Sequence, residues 1–426
     1  MGGETNSRLQ RTGWAELHVE DILSAPLFRE FVFRSPRTLD GTTEHEVSDF
    51  LIQHKGQAIL VSQKCQEDPL KRTAEKVDLW ARKNAKAAWG QLRRTLNRPR
   101  DRAIWCDHIR RGRVRFPAGL PPVLHCIVIV EVFQEVDLLP DANSLPLQYQ
   151  RTPVTYLGVN DFLNLVAELR TVPELLNYLD ARRALPIVEQ RILGAERDFF
   201  QFYLLNAASF SGCVGLSDAR IAVASQDERL RDALKAKAAS DFYSGLLEHV
   251  ADQLATRDPA LESSLPAELL SRFDAPNQRT TYLKMQAVLA DLRLRERAVL
   301  GAALHNASIS LVPKDRGLTF MAATLDSQPD WVYVLGAVKN IDRAELVRLI
   351  EPLMRGALAH YDKRQCLLIF DRDGRGYEVA IPRAEFKPSL ADYEIGNRAF
   401  GNLRMTDERL ELVPGGSSVY VFTVLA

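Results

Sequence analysis

The sequence predicts an α/β protein in three parts, and three observations carry that prediction. Strand-like runs between residues 30 and 64 are followed by a long helical pattern and then by a buried-type strand at 126–133. From Val159 the apolar residues fall into a 3.6 period that persists to about residue 300. Beyond that point strand and helix patterns alternate again. With 426 residues, 46% of them hydrophobic, the chain is too long for one typical core. The expected division is an α/β domain at 12–185, an α-helical middle at 186–300 and a smaller α/β (α+β) module at 301–426.

In chain order, an amphipathic helix is expected over 14–23 and a strand over 30–34. The runs 47–53 and 57–64 flank His54-Lys55-Gly56, a turn sequence that makes them a hairpin. A helix over 74–96 follows, with Leu79, Ala85, Ala88 and Leu92 at helical spacing, and strands are expected over 126–133 and 153–158. Phe162, Leu163, Val166 and Leu169 form the first helical stripe of the next stretch, and further helical patterns run through 187–205, 243–254 and 282–303. Three prolines mark 256–277 as a linker. Residues 189–203 read as a packed helix between domains or as a dimer surface, a place for a second copy or a partner subunit. In the last part, strands are expected over 319–324 and 331–338. Asp342 caps a helix running to about residue 360, which Pro352 and Gly356 are expected to kink or shorten. A hairpin over 365–370 and 377–381, turning at Asp373-Gly374, and a strand over 418–424 close the chain.

Composition excludes several classes. Lys+Arg and Asp+Glu are both 55, so the chain is no overall polycation, and 23 Gly with 21 Pro exclude collagen-like or largely disordered chains. The start of the chain lacks the apolar core of a secretory signal, and no apolar run is long enough for a bilayer. Five scattered cysteines suit a reducing setting, so a cytoplasmic protein without a membrane partner is expected. Gly212-Cys-Val-Gly215 lacks the Lys-Ser/Thr of a phosphate loop, so no nucleotide cofactor is expected. Cys106, His108, His125 and Cys126 do not make a zinc site, because neighbours on a strand point to opposite faces.

The chemistry lies in Glu46-Val-Ser-Asp49 and the strand ending Ser62-Gln-Lys64. Ser62 and Lys64 share a face, and the hairpin brings Asp49 towards Lys64 at one end of the sheet. Phosphodiester hydrolysis uses such a set: carboxylates for Mg²⁺ or Mn²⁺, and a cation beside the attacked phosphorus. The order Gly13-Trp-Ala-Glu16, Asp49, Ser62-Gln-Lys64 and then Gln91 on the next helix resembles the PD-(D/E)XK nucleases, especially their nuclease-related-domain branch, over roughly residues 12–180. The resemblance implies a metal-dependent endonuclease acting on DNA in a restriction or antiviral defence setting, with Asp49, Glu16 and Glu46 as metal carboxylates. It also implies a catalytic group of Asp49, Lys64 and Glu16. Ser62 stands where that family has a second metal carboxylate, which opens an alternative: a catalytically inactive nuclease-like fold that binds nucleic acid or scaffolds a partner protein.

Between Lys71 and Arg115 fifteen basic residues meet four acids, Glu75, Asp78, Asp101 and Asp107, a surplus of eleven positive charges. Arg82, Lys83, Lys86, Arg93, Arg94, Arg110, Arg111 and Arg113 are the expected nucleic-acid contacts on a basic helix and loop. A solvated face or a dock for an acidic protein is the other reading of this run. Trp80, Trp89 and Trp105 lie within it and are expected in the core rather than stacked on bases.

Overall fold

The computed structural model describes residues 25–40, 42–65, 73–108, 112–131, 145–185, 196–205, 227–257, 276–381, 387–401, 404–406 and 419–423, together with Val19 and Leu23. The chain divides into two compact units, Met1–Arg231 and Asp232–Ala426. The expected helical middle is thereby shared, with Glu196–Leu205 in the first unit and Pro276–Asp291 in the second.

In the first unit a short 3₁₀ turn, Arg29–Phe31, leads into β1 (Val32–Asp40), β2 (Thr43–Glu46), β3 (Phe50–His54) and β4 (Gln57–Cys65). Helix α1 (Ala74–Leu96) follows, then β5 (Ile104–His108), β6 (Gly112–Phe116), β7 (Val123–Glu131), β8 (Gln148–Tyr149) and β9 (Thr152–Gly158). These strands form one nine-stranded sheet in the order β6-β5-β1-β3-β4-β7-β9-β8, with β2 paired to β1 beside that path. β1, β3 and β4 run antiparallel, whereas β4, β7 and β9 run parallel. The sheet is therefore mixed, and α1 lies in the connection towards the parallel strand β7.

One sheet face carries Phe33, Leu51, Leu60, Cys126, Val128, Val130 and Val154, and α1 buries Ala81, Ala85, Ala88, Trp89 and Leu92 against them. Alanines at helical spacing let the helix axis lie close to the pleat. Helices α2 (Val159–Leu169) and α3 (Val172–Ala184) follow β9, and α4 (Glu196–Leu205) packs with them. Inside that packing Tyr178 donates to Glu196 at 2.6 Å, and Arg182 Nη2 pairs with the same carboxylate at 3.0 Å. A buried acid is tolerated here because both its oxygens are bonded. Glu189 to Ala195 lie outside the described residues.

The second unit holds α5 (Asp227–Arg257, which begins just before the boundary), α6 (Pro276–Asp291), α7 (Leu294–Leu311), β10 (Gly317–Leu325), β11 (Gln328–Lys339) and α8 (Arg343–His360). It closes with β12 (Gln365–Asp371), β13 (Tyr377–Ala380), α9 (Leu390–Phe400), β14 (Arg404–Thr406) and β15 (Val419–Thr423). The sheet order is β13-β12-β11-β10-β15-β14, and only β11–β12 is parallel, with α8 as the crossover. Val332, Val334, Leu368 and Phe370 pack against Leu346, Ile350, Leu353 and Ala357 of α8, whereas Ala337 on the opposite face meets Ala307 and Leu311 of α7. Helix α8 reaches His360, as expected, with Pro352 inside it, so of the two expected effects the shortening does not occur. The Asp373-Gly374 turn has φ of 54° and 70°, as a tight hairpin turn requires. The sequence pattern does not predict helix α9. Ser389 and Asp392 form its capping box.

No helix among the described residues is long and apolar enough to cross a membrane.

Candidate functional site

The β3–β4 turn sets the site. Lys55 and Gly56 have φ of 48° and 74°, the left-handed pair of a two-residue hairpin turn, and Gly56 takes that conformation without a Cβ penalty. The turn fixes the register from His54↔Gln57 to Phe50↔Val61. Asp49 therefore reaches the level of Ser62, and its backbone N–H donates to Val61 O at 3.0 Å.

The Asp49 carboxylate is held from within the hairpin. Its Oδ2 accepts from the Gln63 backbone N–H at 2.6 Å and from the Ser62 hydroxyl at 2.9 Å. Ser62 is fully buried, and its hydroxyl proton is shared between this bond and a longer one to Gln91 Oε1 at 3.4 Å. From α1, Gln91 reaches down between the acidic and basic members. Its Oε1 accepts from Lys64 Nζ at 3.5 Å, and its Nε2 donates to Glu46 Oε2 at 3.1 Å. Thr95 donates to Val47 O at 2.6 Å and Arg98 to Glu46 O at 3.1 Å, which fastens the segment before β3 to the end of α1.

The structure thus brings Asp49, Lys64 and Glu46 into one network, with Gln91 as its hub. Glu16 lies outside the described residues. Between Asp49 and Lys64, which the sequence places near each other at one end of the sheet, the link runs through Ser62 and Gln91. Cys65 is half-buried.

The basic run is not one surface. On α1, Lys83, Lys86, Arg93 and Arg94 are exposed, whereas Arg82 is half-buried and paired with Asp78 at 3.2 Å. Arg110 and Arg111 lie outside the described residues. The expected loop after α1 contains a hairpin, β5–β6, whose register pairs Trp105 with Arg115 and Asp107 with Arg113. Ile104, Cys106, Val114 and Phe116 of this hairpin join the core under α1. Alternation then turns Trp105, Arg113 and Arg115 to the opposite sheet face, so Arg113 does not stand with the α1 cations. Trp89 is core and Trp80 packs against it, as expected, but Trp105 is not part of that cluster. The signal for this lay in the period-2 pattern of 112–116, which the density of arginines disguised as a loop.

Cys106 with His108 sits on β5, and His125 with Cys126 on β7, four places away in the sheet. At about 4.8 Å per strand that is roughly 19 Å, too far for shared ligation. His108 instead faces Glu30 at 3.6 Å, and His125 pairs with Asp180 at 3.0 Å.

A divalent ion of the Mg²⁺ kind takes several hard oxygen ligands, usually including more than one charge. Among the described residues no group of three His, Cys, Asp or Glu side chains is placed to hold a metal. Asp49 has a hydroxyl donor beside it in place of a second carboxylate, and Glu46 is bonded to Gln91. The described residues therefore do not fit such an ion.

No family model matches the chain, and neither a curated protein nor a solved structure matches it.

Proposed function

We propose that Met1–Arg231 is a nuclease-like fold of the PD-(D/E)XK kind that grips DNA by its backbone at the hairpin site and has given up hydrolysis. The observation that carries this reading is the convergence of Asp49, Ser62, Lys64 and Gln91, with a hydroxyl and not a carboxylate bonded to Asp49. Support for the fold comes from the order of elements: an antiparallel β1–β3–β4 meander, helix α1, and β7 parallel to β4. Lys64 supplies the cation for a phosphate oxygen, oriented by Gln91. Lys83, Lys86, Arg93 and Arg94 of the same helix add the diffuse positive field that draws a polyanion.

A second reading keeps the metal-dependent endonuclease with Mg²⁺ or Mn²⁺, serving restriction or antiviral defence. It is favoured by Lys64 and Asp49 sharing one hydrogen-bonded network, and it requires a carboxylate from outside the described residues, Glu16 first.

The test is binding of duplex DNA over a salt series, beside plasmid integrity with Mg²⁺ or Mn²⁺. The binding reading expects affinity that falls steeply with salt, weakens about tenfold in Lys64→Ala, and leaves the plasmid whole. Plasmid cutting that Asp49→Asn abolishes would establish the endonuclease instead. No binding near physiological salt would sink both.

A further inference from the structure

The outward face of β1, β5 and β6 has a use that the hairpin site leaves open. Cross-strand registry sets Arg37 beside Trp105, and Trp105 beside Arg115. It likewise sets Arg34 beside Asp107, and Asp107 beside Arg113. The two rows lie on one face, turned away from the core that holds Ile104, Cys106, Val114 and Phe116. Arg37, Asp107, Arg113 and Arg115 are exposed, and the Arg113 side chain is 67% accessible. The Arg115 guanidinium lies over the Trp105 ring, 5.3 Å from its centre, so a half-buried indole and a cation already stack on this face. Four arginines on this face meet three acids, Asp107, Glu44 and Glu46, the last opposite Arg37 in the β1–β2 register. Glu44 on the neighbouring β2 reaches Arg37 at 3.2 Å and Arg113 at 4.0 Å.

An aromatic ring flanked by arginines in its own row, with further arginines in the next, suits an unpaired strand better than a duplex. Bases of a single strand turn outward and stack, whereas those of a duplex are already stacked on one another. An acidic peptide would use the arginines and leave the indole idle. We propose that this face is a second nucleic-acid contact, specific for single-stranded DNA or RNA: Trp105 stacks on a base, while Arg37, Arg113 and Arg115 meet the flanking phosphates. The inference rests on the reading of the first unit as a nucleic-acid binder, and it names a strand class that the hairpin site does not. Glu44 holds two of the three phosphate-binding arginines in the free protein, so it competes with the strand.

The test is a titration of the full chain with a fluorescent oligothymidylate and, in parallel, with a duplex of equal length. Trp105→Ala and Arg115→Ala each weaken oligothymidylate binding about tenfold and change duplex binding less than twofold. Trp105→Phe retains most of the single-strand affinity, which separates stacking from a folding defect, and thermal melting of each variant checks the fold. Glu44→Gln tightens the oligothymidylate a few-fold. An exchange of Asp101→Asn, which removes one negative charge outside this face, leaves it unchanged. Equal oligothymidylate binding by wild type and Trp105→Ala overturns the proposal. Duplex binding without single-strand binding by the wild type also overturns it, and leaves the hairpin reading standing. Absence of both overturns both.

Discussion

At the scale of single residues, the most informative side chain is Ser62. Removing its hydroxyl leaves Asp49 Oδ2 with only the Gln63 N–H, beside a buried small void. Ser62→Ala is expected to cost about 1–2 kcal/mol in urea denaturation, the usual cost of losing one hydrogen bond to a charged acceptor. The residues of this site were legible because a hairpin register is set by its turn, and Lys55-Gly56 announces that turn. The partners were not legible: whether Ser62 donates to Asp49 or points to solvent depends on α1, which approaches from beyond the local sequence. His125 makes a separate prediction. Burial lowers its pKa below the ordinary 6.5, with Asp180 opposing that effect. The unfolded chain then binds the proton more readily than the folded one. Stability is complete above 6.5 and is lost as pH falls from there towards the lowered folded value. Melting temperatures between about pH 7 and about pH 5 should fall in the wild type, and His125→Gln should flatten that slope.

At the scale of elements, long periodic segments declared themselves and short charged ones did not. Helix α1 lies at 74–96 as expected, with Ala85, Ala88 and Leu92 buried, but Leu79, read as part of the same stripe, is 67% exposed and Val77 and Ala81 take the buried face instead. The hairpin β5–β6 was lost because arginine on an exposed strand face is locally the same signal as arginine in a loop. Its buried half, Ile104, Cys106, Val114 and Phe116, becomes legible only when read in alternation. The crossing of α8 and α9 gives an element-scale prediction. A Cβ on Gly396 would stand 2.5 Å from Gly356 O, and one on Gly356 would stand 3.0 Å from Gly396 N. At Gly396 the obstacle is backbone, so the helices must separate to admit a methyl group there, whereas Gly356 also meets the Ile395 side chain at 2.9 Å. Gly396→Ala should destabilise by about 1–3 kcal/mol, read by circular dichroism in urea. Beside the crossing, Arg355 and then Ser389 hold the Asp392 carboxyl far below the usual carboxylate range. Its contribution is present at neutral pH and is lost only in strong acid.

At the scale of the molecule, each unit has its own sheet and its own core, Leu60, Cys126 and Val128 in one and Val334, Leu368 and Phe370 in the other. The three-part division read from sequence followed helical periodicity, which marks secondary structure and not which sheet a helix joins. Calorimetry of the full chain should resolve two unfolding transitions. Ser62→Ala should lower one of them and Gly396→Ala the other, and a single transition shifted by both would show that the units unfold together. Among the described residues the path of the first sheet ends at β6 and β8. β8 has only two residues, too few to template another chain, but β6 has five. Its Arg113 and Arg115 put like charges in line along that border, so two copies meeting there edge to edge repel instead of extending the sheet. The same arginines proposed to hold a nucleic-acid strand thus protect the protein from self-assembly into aggregates.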